Sequence, residues 1–393
     1  MLNSCQEYDW GSGEYIQTLT SRPDLMGKPV AELWMGAHPK APSRIVLGGG
    51  EQALDLYLDS HPEALGPAAQ VYDGLPFLMK VLAAAKPLSI QAHPNAAQAR
   101  EGFDRENALE IPLDAPSRNY KDPRHKPELI CALTPFTALC GFRPYPQIIA
   151  GLRHCGLDQV LPEAQDFIQS ASRTAWQSCF QAILAMDASA AVRVVENARG
   201  TQEQRLGPGM QDALRWVGKL ADLYPEDAGA LAPLYLNLVE LQPQEALYLD
   251  AGIPHAYLNG VGIEVMANSD NVLRGGLTPK YINREELIRV LDFGPLDLKV
   301  LKAVPDKTGV GWFHTPAREF SLGIADIMAG QALKTSISGP AILLCQSGNI
   351  LISTSGEGYN ALKGDAFFID ARATKITLTG EGKAFICVTA PGN

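Results

Sequence analysis

The sequence has no Cys-x-x-Cys pair, no run of lysines or arginines, no apolar stretch of membrane-spanning length and no glycine-rich phosphate loop. Each absence removes a class. Seven scattered cysteines, an odd number, fit neither a disulfide framework nor a thiolate zinc site, so a reduced chain with small buried thiols is expected. A net charge of −10 and no basic run argue against a nucleic-acid surface. The start, Met1-Leu-Asn-Ser-Cys-Gln-Glu-Tyr-Asp9, lacks the basic-then-apolar order of a secretory signal. With no spanning run either, the expectation is a cytoplasmic protein with no membrane partner. Any phosphate would have to be held by lysine and arginine side chains.

What is present suits a large globular chain. Its 393 residues suggest two or three domains, and 46% apolar residues supply ample core. The stretch Leu88-Ser-Ile-Gln-Ala-His-Pro-Asn95 alternates apolar and polar residues and reads as a strand. Residues two apart on a strand share a face, so Ser89, Gln91 and His93 project together. That face meets either water or a site. Pro76-Phe-Leu-Met-Lys-Val-Leu82 is a second strand, and its Lys80 either snorkels at an edge or meets an anion. Trp10, Trp34 and His38 lie among Gly- and Pro-punctuated pieces, where they pack under loops or line a pocket. Residues 96–120 read as a short helix and a long loop. Glu128 opens a buried strand running to Leu133, and Pro127 forces an extended lead-in at Lys126. A carboxylate entering such a strand is costly unless paired or metal-bound.

Residues 145–232 change period. Trp176, Phe180, Ile183 and Leu184 recur at helical spacing, as do Ala213, Leu214, Val217, Leu220 and Ala221, with Gly200 and Leu206-Gly-Pro-Gly209 as breaks. No catalytic cluster lies in this block, which reads as scaffold or lid. Strands resume near Leu234. Asp250-Ala-Gly-Ile-Pro-His255 delivers His255 onto the next strand, and Asn283 to Leu291 reads as a short capped helix. Beyond residue 300 five short strands are expected at 341–345, 350–353, 366–369, 375–378 and 384–388, separated by glycine turns.

Gln244-Glu-Ala-Leu-Tyr-Leu-Asp-Ala-Gly-Ile-Pro-His255 repeats as Gly364-Asp-Ala-Phe-Phe-Ile-Asp-Ala-Arg-Ala-Thr-Lys375. The pattern resembles the second cupin motif. Gly252, His255 and Asn259 fit it in the first copy, and the second copy has lost its histidine. The resemblance implies two jelly-roll barrels, only the first equipped for metal. The expected fold is mainly β with a helical insertion. A discontinuous catalytic cupin barrel would cover 1–146 and 233–300, a helical domain 147–232, and a ligand-free cupin-like barrel 301–393.

Gln91, His93, Glu128 and His255 are ligand-capable residues on three strand-like segments, and a small barrel brings inward faces within ligand distance. Two imidazoles, a carboxylate and an amide suit a borderline divalent ion, zinc first. Taken one at a time, each is equally an unrelated polar residue. Jointly they resemble the type I mannose-6-phosphate isomerases, also called phosphomannose isomerases. The resemblance spans nearly the whole chain. It is carried by Tyr8-Asp-Trp-Gly11, Ala31-Glu-Leu-Trp-Met-Gly-Ala-His38, Pro76 to Leu82, Leu88 to Pro94, Asn119-Tyr-Lys-Asp122, His125-Lys-Pro-Glu128, Gly252-Ile-Pro-His-Ala-Tyr257, Glu264 to Arg274 and Gly276-Leu-Thr-Pro-Lys280.

That resemblance implies one zinc ion per chain on Gln91, His93, Glu128 and His255, with Arg274 as the catalytic arginine. The implied reaction interconverts D-mannose 6-phosphate and D-fructose 6-phosphate through a zinc-stabilised cis-enediolate. Lys126, Glu264 and His125 are candidates to move the proton, a choice that reach and pKa decide. Lys80, Ser89, Tyr257 and Lys280 are candidates for substrate contacts, Lys280 being equally a solvated loop lysine. A phosphosugar is the expected small-molecule partner, and a monomer the expected state. The competing reading is a cupin sugar-binding or regulatory protein without catalysis.

Overall fold

The structure, a computed structural model, describes residues 1–200, 208–354 and 357–390. Of the turn expected at Leu206–Gly209, the first two residues lie outside the described residues, and Pro208 and Gly209 open the helix Pro208–Leu223. One strand, His255–Ala267, organises the first sheet system. Its C-terminal half lies between Phe77–Ala84 and Glu128–Ala132, while its first residues pair with Ile90–Ala92 and Phe136–Phe142. The change of partners occurs at Gly260, whose φ is +117° and where a Cβ would sit 2.7 Å from the Pro135 carbonyl oxygen. Only glycine allows that turn and that approach together. The strand thus joins two groups of strands into one eleven-stranded antiparallel system.

The expected strand at Leu88–Asn95 shrinks to Ile90–Ala92. Pro87 and Pro94 flank it and cannot donate to a ladder. His93 therefore lies just past the strand end rather than within it. The helix expected after residue 96 runs Ala96–Ala108 and opens with a capping box between Asn95 and Gln98.

Strands Phe136–Phe142 and Leu236–Leu241 pair directly although more than ninety residues separate them. The helices fill that excursion, among them Tyr145–His154, Pro162–Ser170, Arg173–Ala185, Ala188–Gly200 and Pro208–Leu223. Phe142, at the strand end, meets Trp176 and Phe180 edge-on and stacks on Phe293. Full burial of such side chains stabilises by roughly 1.5–3 kcal/mol each, which fastens the helical block to the sheet. Strand and helix make up 34% and 30% of the chain, a mixed fold in which strand is the larger share. None of the described helices is by itself long and apolar enough to cross a membrane.

A second, eight-stranded antiparallel sheet follows. Here five expected strands become three. Ala341–Thr354 and Lys375–Val388 are continuous fourteen-residue strands that absorb four of them. The glycines read as turns are crossing points: Gly348 pairs with Gly382, and Gly348 has a φ of +85°. A Cβ at Gly348 would overlap the Glu381 carbonyl oxygen. We expect Gly348→Ala to cost about 2–4 kcal/mol, combining left-handed strain with overlap against backbone. A denaturant midpoint unchanged from wild type would contradict that account.

The repeat is visible in the coordinates. Gln244 and Gly364 occupy equivalent turns and both are left-handed, at φ +72° and +90°. Each turn leads into a short strand, and His255 and Lys375 each open a long central one. The environments differ. Within the second sheet Leu343, Cys345, Ile350, Leu378 and Ile386 are fully buried with their apolar neighbours. All seven cysteines are unpaired, six of them buried.

Candidate metal centre and substrate cavity

His93, Glu128 and His255 converge from a strand end, a strand start and a second strand start. Their ligand atoms all lie within 4.8 Å of one another, and among the described residues no other group of three histidines, cysteines or acids does so. The Nε2 atoms of His93 and His255 stand 3.3 and 3.4 Å from the two carboxylate oxygens of Glu128. Each imidazole is fixed from behind by a backbone carbonyl. His93 Nδ1 bonds to Asn271 O at 2.8 Å, and His255 Nδ1 to Ile253 O at 2.9 Å. A carbonyl accepts only, so Nδ1 carries the hydrogen and Nε2 presents a lone pair to the centre. His93 Nε2 is buried without a hydrogen-bond partner.

The electrostatics favour the ligand forms. Burial pushes the His93 pKa down to about 4, which keeps the ring neutral. Burial alone would raise the Glu128 carboxyl, yet His93 and Lys126 beside it hold it well below its ordinary value. Lys126 Nζ stands 3.2 Å from Glu128 Oε1. Two neutral imidazoles and a carboxylate fit a borderline divalent cation. Gln91, the fourth expected ligand, lies directly across the ladder from both His255 and Arg274.

This centre opens on a cavity of about 740 Å³ that also contacts Lys80, Ser89, Gln91, Tyr257, Arg274 and Lys280. Neighbouring strands set one wall: Trp34, Lys80 and Glu264 are cross-strand neighbours in one row. Lys80 neither snorkels nor faces solvent. Its ammonium lies 3.2 Å from Glu32 and 3.0 Å from Glu264, buried. Burial would lower its pKa, but Glu32 and Glu264 raise it, so it stays charged. The Glu264 carboxyl is raised by burial, against the pull of Lys80. Tyr257 is buried, its hydroxyl without a hydrogen-bond partner, and burial then the Glu264 charge lift its pKa well up.

The opposite wall is cationic. Arg274 is half-buried, its pKa lowered by burial, and its guanidinium makes no ion pair or hydrogen bond with the described residues. Lys280 is exposed at the rim, its pKa lowered by its surroundings and then by Arg274 and Lys121. An unpaired cluster of like charge is unfavourable alone and is relieved by an anion.

His125 lies outside this cavity. Its Nε2 lies 2.7 Å from Glu319, in the loop between strands Gly311–Trp312 and Ser321–Ile327 of the second sheet, and it lines a different cleft. The adjoining Lys126 turns to the cavity while His125 turns away, as alternation in an extended lead-in dictates. Sequence reasoning missed Glu32, Lys121 and Asn271. Glu32 was discoverable, because period two places it on the face of Trp34; its side chain accepts the Trp34 indole N–H at 2.9 Å.

Comparisons with known proteins give the family. The family profile "Phosphomannose isomerase type I, catalytic domain" matches residues 1–145. Mannose-6-phosphate isomerase of Escherichia coli strain K12 is 38% identical over 387 residues, covering 98% of this chain and 97% of the relative. A structure of mannose 6-phosphate isomerase, holo and zinc-bound, superposes with a TM-score of 0.90 at 37% identity, covering 99% and 98% of the two chains. A point variant of phosphomannose isomerase from Salmonella typhimurium gives 0.91 at 37% identity over the same shares. A buried His–Glu–His centre beside an unpaired arginine, and likeness over the whole length of both chains, place this chain in the type I mannose-6-phosphate isomerase family.

Proposed function

We propose that this chain interconverts D-mannose 6-phosphate and D-fructose 6-phosphate at a single zinc site held by Gln91, His93, Glu128 and His255. One observation carries the reading: two imidazole lone pairs and a carboxylate meet, buried, at a cavity that Arg274, without an ion-pair partner among the described residues, also lines. Bound zinc supplies Lewis-acid polarisation of substrate oxygens without redox change. The polypeptide does the rest. Arg274 and Lys280, with Lys121 nearby, hold the phosphate or the negative charge that develops, with side chains rather than a glycine loop. Ser89 and Tyr257 are placed for sugar hydroxyls.

Isomerisation removes a proton from C2 of the open-chain aldose and returns one to C1, through a cis-enediolate. Two groups reach the cavity to carry it, Lys126 and Glu264. A raised carboxyl such as Glu264 suits a base working near neutrality. Lys80, locked between two carboxylates, acts as a fixed positive charge. A non-catalytic sugar-binding reading gains nothing from so complete a set of buried ionisable groups. In this proposal the first sheet system, residues 1–146 and 233–300, is a catalytic cupin barrel and 147–232 a helical insertion. Residues 301–393 then form a cupin-like barrel whose apolar interior has lost the site. The enzyme is read as a cytoplasmic monomer, the unpaired cysteines being in keeping with that compartment.

The test is fructose 6-phosphate formation from mannose 6-phosphate before chelation, after it, and after zinc add-back. Loss and recovery of at least about 100-fold is expected if a Lewis acid supplies several kcal/mol. Full turnover by metal-stripped protein would end the proposal.

A further inference from the structure

Asn271 is fully buried and does not line the cavity. Its amide is wholly used on one loop. Oδ1 accepts the backbone N–H groups of Lys121 and Asp122 at 2.7 and 3.3 Å. Nδ2 donates to the carbonyls of Asp122 and Arg124 at 2.7 and 2.8 Å. These four bonds exhaust the capacity of a primary amide, and they fix which atom is oxygen. The main chain of the same residue does a second thing: its carbonyl accepts the His93 Nδ1–H. Ser269 and the Asp270 N–H complete the tie, both bonding the Asp122 carboxylate, at 3.1 and 2.8 Å.

The loop so held leads straight to the site. Lys121 lies within electrostatic reach of the wall lysine and arginine, its pKa lowered by burial and by Lys40 and Arg274. Two residues past Arg124 comes Lys126, then Glu128. From its other end the loop is tied by the buried Glu106 carboxylate, which accepts the N–H groups of Asn119 and Tyr120. Asn271 is the residue that joins this loop to the carbonyl orienting His93.

We propose that Asn271 is a positioning residue: it sets the Lys121–Lys126 segment against the metal-facing histidine in one rigid unit. Its carbonyl aims His93 Nε2 at the centre, and its amide holds the backbone that brings Lys126 to the cavity and Lys121 near Arg274. The proposal rests on the zinc isomerase reading for its catalytic consequence, though not for the loop geometry. No isostere replaces the amide. A carboxylate in its place would be an unsuitable partner for two carbonyls, and alanine leaves the Lys121 and Asp122 N–H groups and the Asp122 carbonyl without their partner, while the Arg124 carbonyl keeps the Ser269 hydroxyl.

The test compares Asn271→Ala and Asn271→Asp with wild type, zinc-loaded, using amide hydrogen exchange, zinc competition with a chromogenic chelator, and steady-state kinetics. We expect the Lys121 and Asp122 amides to lose protection while Ala341–Thr354 keeps its own. Zinc retention and kcat should each fall about 10- to 100-fold, the range seen when a ligand's supporting partner is removed. KM should move less, because Arg274 and Lys280 approach from another segment. Unaltered protection at Lys121 and Asp122, or kcat and zinc retention both within about twofold of wild type, would overturn the proposal. So would protection lost equally across Ala341–Thr354, since Asn271 would then serve general stability alone. If instead wild type turned over after chelation, the zinc reading would fall while the exchange and kcat comparisons stayed decisive for Asn271.

Discussion

Glu128→Gln is expected to lose its zinc and about 1000-fold or more of its turnover. Charge is the cause. Glu128 is the one anion among the proposed ligands, and both its oxygens face imidazole nitrogens at 3.3–3.4 Å. Lys126 stands 3.2 Å from the same carboxylate, buried with it. Remove that negative charge and a divalent cation would share a low-dielectric site with a lysine and two neutral rings. Like charges so close in a buried setting repel by several kcal/mol. Each 1.36 kcal/mol is tenfold, so a penalty of about 4 kcal/mol predicts the stated loss. Glutamine keeps the volume, which separates this effect from the cavity alanine would leave. Metal content by mass spectrometry, measured with turnover, checks it. Stoichiometric zinc at wild-type affinity would remove Glu128 from the ligand set.

That the proposed ligands stand out in the sequence has a physical basis. His255 is delivered by Gly252, left-handed at φ +75°, and by Pro254, residues that punctuate the text as well as the chain. Glu128 announces itself as a charge entering an apolar strand. His93 and Gln91 stand out by alternation, although the strand that carries them is only three residues long. Positions that require a special backbone or break an apolar pattern are legible because few residue types satisfy them.

Other features mislead for an equally physical reason. Gly348 and Gly380 have the positive φ of a turn but sit inside paired strands, where a local reading cannot see the partner backbone pressed against them. Adjacency groups His125 with Lys126, but its side chain follows Glu319, almost two hundred residues away. Asn271 reads as any loop amide, because its four bonds go to residues some 150 positions earlier. Lys80 is ambiguous for the same cause: Glu32 and Glu264 come from separate strands. Sequence shows what a residue can do, while long-range pairing decides which option is taken.

Arg274→Ala should leave zinc and fold in place and lose about 100- to 1000-fold in turnover, the loss typical when one preorganised charge-stabilising group is removed. The guanidinium is half-buried with no carboxylate to balance it, and burial has already lowered its pKa. Such a cation contributes nothing to the stability of the free protein, since it has given up part of its hydration for no partner. Its removal should therefore hold or slightly raise the melting temperature while activity collapses, an opposition that a structural residue would not produce. Arg274 also lies across the ladder from Gln91, so its charge is carried on the sheet that carries the proposed ligand. How the loss divides is informative. A fall mainly in kcat assigns the arginine to charge developing on the sugar oxygens, and a rise mainly in KM assigns it to the phosphate. Arg274→Lys should recover part of a point-charge role but little of a bidentate one. Turnover within about threefold of wild type in Arg274→Ala would leave the cavity's unpaired cation without a function and sink this part of the account.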